Sequence, residues 1–426
     1  MEMVKIAILP LLEYNERMKV WIKYLIGIGL GLASYFILPM NNANVSAVVA
    51  YLSELFVHMI RYIVVPLLFF TGAVSVNKLR SSKLILKATL WTFAIIIISS
   101  LILTLIGLAS ILIVRLPRLP ITVDSSDAVF SLQIPELIRS ILPLSAFETL
   151  SEGNFLLVSF VFAFLIGWVM SGDQTAMKSA FNLFDSLSKL FYGIATFFTE
   201  IFSVGMIAVV CNWTVTYRTV IATGIFNNIL IMFAIDFVIV AGIIYPALLY
   251  WVCHDTHPYR VLYASITSLL SAFFSGDTNM VLPLNIRHGK ESLGIRRRTS
   301  GFSFPIFSIF ARGGSALVVT VSFIVIWRSY SSLAISLNDV IWISLSAFGL
   351  SFALCGLPSG SAFVLLAILC TKYSKGLDTS YLLLQPVAPI ICSFAALFDA
   401  LTAMFGTYIV AVKTKTIEHH AVSHYI

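Results

Sequence analysis

Between Leu84 and Val114 the only charged residue is Lys87. An α-helix crosses the roughly 30 Å hydrocarbon core of a bilayer in about 20 residues. The stretch is therefore long enough to span a membrane with residues to spare. The pattern recurs at Val20–Met40, Val45–Thr71, Phe155–Met170, Leu190–Cys211, Val220–Trp251, Phe302–Trp327 and Leu382–Val412. Phe155–Met170 is short on its own, and Ile134–Leu150 before it reads as a broken helical lead-in. Several of the others exceed the thickness of the core and must tilt or protrude. Only 11% of residues are charged and 59% are hydrophobic, with a mean hydropathy of +0.96. Soluble domains carry about 25% charged residues. The balance excludes a soluble enzyme, a disordered chain and a nucleic-acid binder. The net charge of +7 comes from basic residues dispersed between apolar runs, where they act as topology signals. The sequence reads as an all-α integral membrane protein with eight transmembrane helices, seated in the lipid bilayer of the cell membrane.

Two further apolar stretches do not fit as simple spans. Tyr259–Arg287 is interrupted by Ser275, Gly276, Asp277, Thr278 and Asn279, and Pro283 follows. Its second arm, from Thr278 to Arg287, reaches only about half the bilayer at 1.5 Å per residue. Asp339–Thr371 is interrupted by Gly356, Leu357, Pro358, Ser359, Gly360 and Ser361. Both read as re-entrant helical hairpins, because non-helical backbone at membrane depth is tolerated only inside protein or along a cavity. The competing reading, one kinked helix for each stretch, would leave Asp277 at mid-membrane, where a carboxylate is costly. Broken apolar segments of this kind point to a transporter's binding site.

Positive charge supports this topology. With the N-terminus inside and each hairpin re-entering on its own side, eighteen of the 27 Lys and Arg fall inside, six outside and three within segments. The asymmetry predicts that both termini are cytoplasmic. Treating the hairpins as ordinary spans would place Arg296, Arg297 and Arg298 outside; in the preferred topology that run is a cytoplasmic anchor facing anionic lipid. The N-terminal region does not read as a cleaved signal, since Glu2, Glu13 and Glu16 interrupt it and Pro10 breaks its short apolar run. Cys211, Cys253, Cys355, Cys370 and Cys392 have no metal-ligand spacing and read as buried small hydrophobes. His254, His257, His419, His420 and His424 read as solvated loop or terminal residues.

The residues also carry a family likeness. The run from Glu54 through Arg61 to Pro66 looks like the second helix of the dicarboxylate/amino acid:cation symporters, the family of the glutamate and aspartate transporters. The segment from Ile141 to Glu148 and Asn154 is similar to the start of that family's fourth helix. Leu282-Pro283 followed by Arg287 resembles the end of its first hairpin. The run from Gly356 to Ser361 resembles the tip of its second hairpin, and Gly406 to Ala411 the end of its last helix. The likeness covers nearly the whole chain. It implies a homotrimer with a glutamate-transporter-like elevator fold: a scaffold of residues 1–80 (helices 1 and 2) and 130–212 (helices 4 and 5), and a mobile transport domain of residues 81–115 (helix 3) and 218–415 (helix 6, hairpin 1, helix 7, hairpin 2 and helix 8).

The family's usual ligands are largely replaced. Its seventh helix unwinds at an Asn-Met-Asp-Gly-Thr motif that supplies oxygen to sodium, and hard cations want oxygen. The matching residues here are Ala311, Arg312, Gly313, Gly314 and Ser315. On the last helix, the positions that bind substrate and sodium in glutamate carriers become Cys392, Ala395, Asp399 and Ala403, aligned through Gly406 and Thr407. The break in the seventh helix is expected at Gly313-Gly314 and Ser315.

Arg312 is then the pivot of the expected site. Burying it unpaired would cost roughly 2.5–3.5 kcal/mol. Its guanidinium either replaces a sodium ion, clamps a carboxylate, or pairs with Asp399 or Asp277. Asp399 is a candidate for a substrate amine or a coupled proton. Asp277, Thr278, Asn279, Ser359, Gly360 and Ser361 are the hairpin-tip candidates, with Asp277 alternatively capping the second arm, and Ser315 and Cys392 complete the set. Asp236 is either functional or a packed core carboxylate, and Arg61 and Glu54 are assigned no transport role. No cofactor or metal is expected, although sodium or a proton could be coupled. The leading function is secondary transport of a small organic solute, an amino acid or a dicarboxylate. A non-transporting solute receptor and an anion channel on the same fold are the alternatives. No nucleophile–base pair suggests an enzyme.

Overall fold

The computed structural model describes residues 19–40, 42–120, 156–173, 175–331, 335–353, 360–373, 376–418 and 425–426. Among them the chain is helical throughout. In order the helices are α1 (Val20–Ile37), α2 (Ala43–Ser81), α3 (Ile85–Ile113), α4 (Leu156–Met170), α5 (Lys178–Ala222) and α6 (Asn227–Cys253). They continue with α7 (Tyr259–Ser275), α8 (Leu282–Glu291), α9 (Arg297–Phe310), α10 (Gly313–Tyr330), α11 (Leu337–Ala353), α12 (Ser361–Tyr373) and α13 (Ala388–Lys413). A 3₁₀ stretch, Ser380–Val387, leads into α13. Taking α9 with α10, and α13 with its lead-in, seven units are long and apolar enough to cross a membrane, while α4, α11 and α12 are shorter apolar helices. The chain is a multi-pass membrane protein. The fourth-helix lead-in, Arg139 and the likeness at Ile141–Asn154 lie outside the described residues.

Three helices run past the limits that hydropathy alone suggests. The second continues beyond Thr71 to Ser81, and the fifth starts at Lys178 rather than Leu190. Polar side chains support both extensions. Lys78 and Lys189 grip Asp185 at 2.8 and 2.7 Å, and the Arg80 guanidinium lies 4.0 Å from the centre of the Trp168 ring. The seventh predicted span starts earlier too, at Arg297 instead of Phe302. Within α6, Val240–Ile244 forms a π-helical turn just before Pro246. Proline lacks the N–H that an α-helical ladder needs there, and a widened turn accommodates it.

The helices pack as two groups. In the first, α1 and α2 lie along α5, and α4 lies on α2. In the second, α9, α10 and α13 form the axis, buried almost all round, with α3, α7, α11 and α12 packed about them. The two broken stretches fold back on themselves, α7 against α8 and α11 against α12. The groups meet where α9 lies on α2 and where the first hairpin lies on α1, α2 and α5. Arg287 of α8 fastens this seam. It donates to Glu200 and, at 2.9 Å, to Thr199 Oγ1, and Glu200 also holds Lys23 of α1 at 2.7 Å.

Candidate functional site

The site is built where continuous helix fails. The backbone leaves helical geometry at Ala311 and Arg312, between α9 and α10. The break thus falls one residue before the Gly313–Ser315 run assigned to it from sequence. Those residues form the first turn of α10, and the glycines serve close packing instead. A Cβ on Gly314 would come within 2.5 Å of both the Ala395 carbonyl oxygen and Phe398 Cβ of α13. One on Gly313 would come within 2.7 Å of Ser100 Cα of α3. Two helices without side chains at the contact can approach closely, and this brings the break against α13.

Arg312 is 2% exposed and faces both the first hairpin and α13. Its Nη1 donates to Thr278 Oγ1 and stands 4.0 Å from Asp399 Oδ2. Asp399, equally buried, accepts a 2.7 Å hydrogen bond from the Gly314 N–H through Oδ1, while Oδ2 accepts none among the described residues. The expected Arg312–Asp399 pairing is therefore a charge contact without a hydrogen bond, because Thr278 draws the guanidinium toward the hairpin. Ser315 Oγ lies 3.4 Å from Ser361 Oγ, joining the start of α10 to the start of α12. Gly360, at φ +72°, turns the chain into α12, a conformation that favours glycine. The Cys392 thiol lies beside the backbone of Ala362 and Phe363 in the same first turn. Ser359 and the tip residues Gly356, Leu357 and Pro358 lie outside the described residues.

The hairpin-tip residues divide. Gly276, at φ +64°, ends α7. Thr278 and Asn279 turn inward, where Ser308 Oγ donates to the Thr278 carbonyl at 3.3 Å and to Asn279 Oδ1 at 3.2 Å. Asp277 turns the other way. Its Oδ2 accepts from Arg61 Nε at 3.0 Å and from Nη2 at 2.9 Å, and its Oδ1 caps the turn by accepting the Asn279 N–H at 2.9 Å. The proposed alternative pairing of Asp277 with Arg312 is replaced by this contact, since Arg61 on α2 reaches the carboxylate directly. Arg61 is thus more than scaffold packing: it ties α2 to the hairpin tip.

Sequence reasoning missed two residues at this site. Ser308 lies in the last turn of α9, just before the break at Ala311 and Arg312, and a polar residue that close to an expected break could have flagged it. Arg61 is a charge inside an apolar run, which is a functional signal by default. Asp236 is a packed carboxylate that accepts from Ser110 Oγ at 3.0 Å. Cys211, Cys370 and Cys392 are buried and free, Cys253 is free and half-buried, and Cys355 lies outside the described residues. His254 and His257 are exposed, while His419, His420 and His424 are not described. Among the described residues no cluster of His, Cys, Asp and Glu could hold a metal ion.

The arrangement offers a permanent cation, a carboxylate 4.0 Å from it, and hydroxyls from both hairpins, all in one buried place. That set suits a ligand carrying a carboxylate, with or without an amine. Residues 18–413 match the model of the sodium:dicarboxylate symporter family. The neutral amino acid transporter B(0) of Homo sapiens is 28% identical over 128 residues, 30% of this chain and 24% of its own length. The serine/threonine transporter SstT of Enterococcus faecalis is 24% identical over 180 residues, 41% of this chain and 40% of its own. Excitatory amino acid transporter 3 of Mus musculus is 24% identical over 168 residues, 39% of this chain and 32% of its own. The chain spans less than half the length of the curated relatives it matches.

Proposed function

The chain belongs to the sodium:dicarboxylate symporter family, and from that premise we propose that it is a secondary transporter of a small organic solute, an amino acid or a dicarboxylate. The observation that carries the reading is the convergence on Arg312 of Thr278 from the first hairpin and Asp399 from α13, with Ser361 of the second hairpin joined through Ser315. Broken elements meeting inside a membrane protein are costly unless they line a site. The Arg312 fork takes a carboxylate in two parallel hydrogen bonds. Asp399 takes an amine, or carries a proton. The relatives' names, neutral amino acid, serine/threonine and excitatory amino acid transporter, support the amino-acid class.

In this reading the α3, α6–α13 group moves as an elevator against α1, α2, α4 and α5, within a homotrimer whose two termini are cytoplasmic. Both broken stretches act as re-entrant hairpins beside eight spans, with α4 and its lead-in as the fourth. Coupling does not use sodium at the family's usual place. Ala311, Gly313 and Ala403 bring no side-chain oxygen there, and Arg312 holds a fixed positive charge in the same turn. A guanidinium cannot leave with the substrate, so uphill transport needs another ion, and a proton on Asp399 is the nearest means.

Counterflow into proteoliposomes tests this. The expected result is saturable exchange of an amino acid or dicarboxylate that persists when choline replaces sodium. Binding without flux would make the protein a solute receptor. Unsaturable anion conductance would make it a channel. Steep dependence on sodium at constant ionic strength would refute the coupling argument.

A further inference from the structure

A groove opens on the flank of the bundle, where α3 and α6 lie beside α13. It follows all three helices for a similar length: from Trp91 to Ser99 on α3, from Tyr245 to Val252 on α6, and from Thr402 to Ile409 on α13. At 1.5 Å per residue this is about 10–12 Å, close to the depth of one leaflet in a hydrocarbon core of roughly 30 Å. The groove has about 70 Å³ of free cavity, and about 510 Å³ counted with its open mouth. A water-sized group needs roughly 10–15 Å³ of such space, so about five methylene-sized groups fit inside. The mouth faces outward from the bundle, where Ile98 of its wall is 51% exposed.

Two features select a lipid chain over a polar ligand. First, the hydroxyls at the inner end are already used. Tyr245 and Thr402 share a 2.6 Å hydrogen bond, Thr402 also donates to the Phe398 carbonyl at 2.8 Å, and Ser99 donates to the Ile96 carbonyl at 3.1 Å. What remains is hydrocarbon wall, on which a polar solute would lose its hydrogen bonds without replacement. Second, the other end is basic. There α3 begins at Ile85, α6 ends at Cys253 and α13 ends at Lys413, so the three helices reach one boundary of the membrane together. Lys413 lies one turn beyond Ile409, with its Nζ 5.4 Å from the centre of the Trp91 ring. Lys87 stands exposed one turn before Trp91. Tryptophan and lysine at such a boundary sit at the level of the lipid headgroups. Among the described residues neither lysine forms an ion pair. Asp255, the acid of the loop after α6, is already held by Arg260 and Tyr408, both at 2.7 Å.

We infer that the groove seats one acyl chain of an anionic phospholipid, whose headgroup phosphate is met by Lys413 and Lys87. A chain lying along the helices runs from the headgroup level into the leaflet, which is the course the groove takes. Hydrocarbon gains little by leaving bulk lipid, because the tails there are as apolar as leucine. Packing in the groove alone therefore makes a weak site, and selection of this lipid rests on the two lysines, each of which favours negative charge at the membrane surface. A seated chain supplies the contacts that the gap among α3, α6 and α13 otherwise lacks, and so stabilises their packing. The site stands on its own geometry and does not depend on the transport reading.

The test uses the full-length protein, stripped of lipid in a mild detergent. Phosphatidylglycerol, phosphatidylcholine and glycerol phosphate are titrated in separate arms. Thermal unfolding is followed by circular dichroism, and native mass spectrometry counts the lipid retained. Phosphatidylglycerol should raise the midpoint saturably, as a ligand of the folded state does, with one tightly held molecule per chain. Lys413→Gln should raise the half-saturating concentration about fivefold, the worth of one lysine at an anionic surface. Lys178→Gln is its control, since Lys178 is exposed at the start of α5 and does not line the groove. Leu248→Trp fills the groove and should abolish the rise. Ile243→Trp, on the same helix but outside the groove and 65% exposed, should leave it intact. Should Leu248→Trp fail to fold, Ile98→Trp takes its place. No saturable rise with phosphatidylglycerol overturns the inference. An equal response to phosphatidylcholine, or one that Lys413→Gln leaves unchanged, overturns it by removing the role of the lysines. A rise with glycerol phosphate alone, or one that the groove-filling variant leaves intact, overturns it by removing the role of the groove.

Discussion

Replacing Arg312 by methionine keeps an unbranched apolar stem and removes the charged guanidinium. Arg312 Nη1 and Asp399 Oδ2 are 4.0 Å apart, with side chains 3% and 2% exposed. At the effective dielectric that describes charges in proteins, such a pair attracts by about 4 kcal/mol. Arg312→Met also takes a donor from Thr278 and leaves a carboxylate buried without its nearest cation, which typically costs about 3–5 kcal/mol. Asp399→Asn keeps an oxygen for the Gly314 N–H, so it reports mainly the loss of charge. Combining the two removes both charges, and the double variant should recover about 2–4 kcal/mol relative to the sum of the singles. Unfolding by SDS in mixed micelles, run on all four proteins, gives the coupling energy. Arg312→Lys should restore only part of the stability, because a point charge does not reproduce a planar fork. A coupling below about 0.5 kcal/mol, the scatter expected of independent sites, would mean the two groups do not sense each other, and the electrostatic account of the site would be wrong.

Gly314→Ala forces a methyl group against the Ala395 carbonyl and should destabilise by about 1–3 kcal/mol or more in the same assay; wild-type stability would show that α10 and α13 are not in this contact. Arg61→Gln leaves Asp277, itself 1% exposed, without its ion pair, so cysteine crosslinking between α2 and the Thr278 turn should become less efficient. Asp255, in the loop after α6, is buried enough to disfavour its charge, yet bonds from the His257 N–H, Tyr408 and Arg260 outweigh this and hold its carboxyl below the ordinary range. A depressed carboxyl stabilises the fold above its unfolded value of about 3.9 and loses that contribution as pH falls through the folded value. Asp255→Asn should therefore flatten the acid limb of the stability profile and lower stability at neutral pH, and an unchanged limb would count against the linkage. Native mass spectrometry in mild detergent should give a trimer; a monomer or dimer would remove the basis of the proposed elevator.

Hydropathy and charge alone determined that this chain spans a membrane and that the Tyr259–Arg287 stretch is broken near Gly276, whereas the break in the seventh helix was placed by resemblance and lies one residue earlier. A run such as Leu84–Val114 can satisfy its polar backbone in lipid only as a helix, so the class follows from composition without any partner. Gly276 and Gly360 were legible for a similar local reason, since positive φ suits a residue with no Cβ. The lengths of α2 and α5 were not legible, because Lys78 and Asp185 lie far apart in sequence and support each other only after the helices pack. The site was half legible. Arg312 and Asp399 stand out as charges in apolar runs, but which partner each takes depends on distances of a few ångströms between different helices. Thr278 won Arg312, and Arg61 won Asp277, because the close approach allowed at Gly313 and Gly314 and the seating of the first hairpin on α2 fixed those distances. No property of the residues taken singly contains that choice.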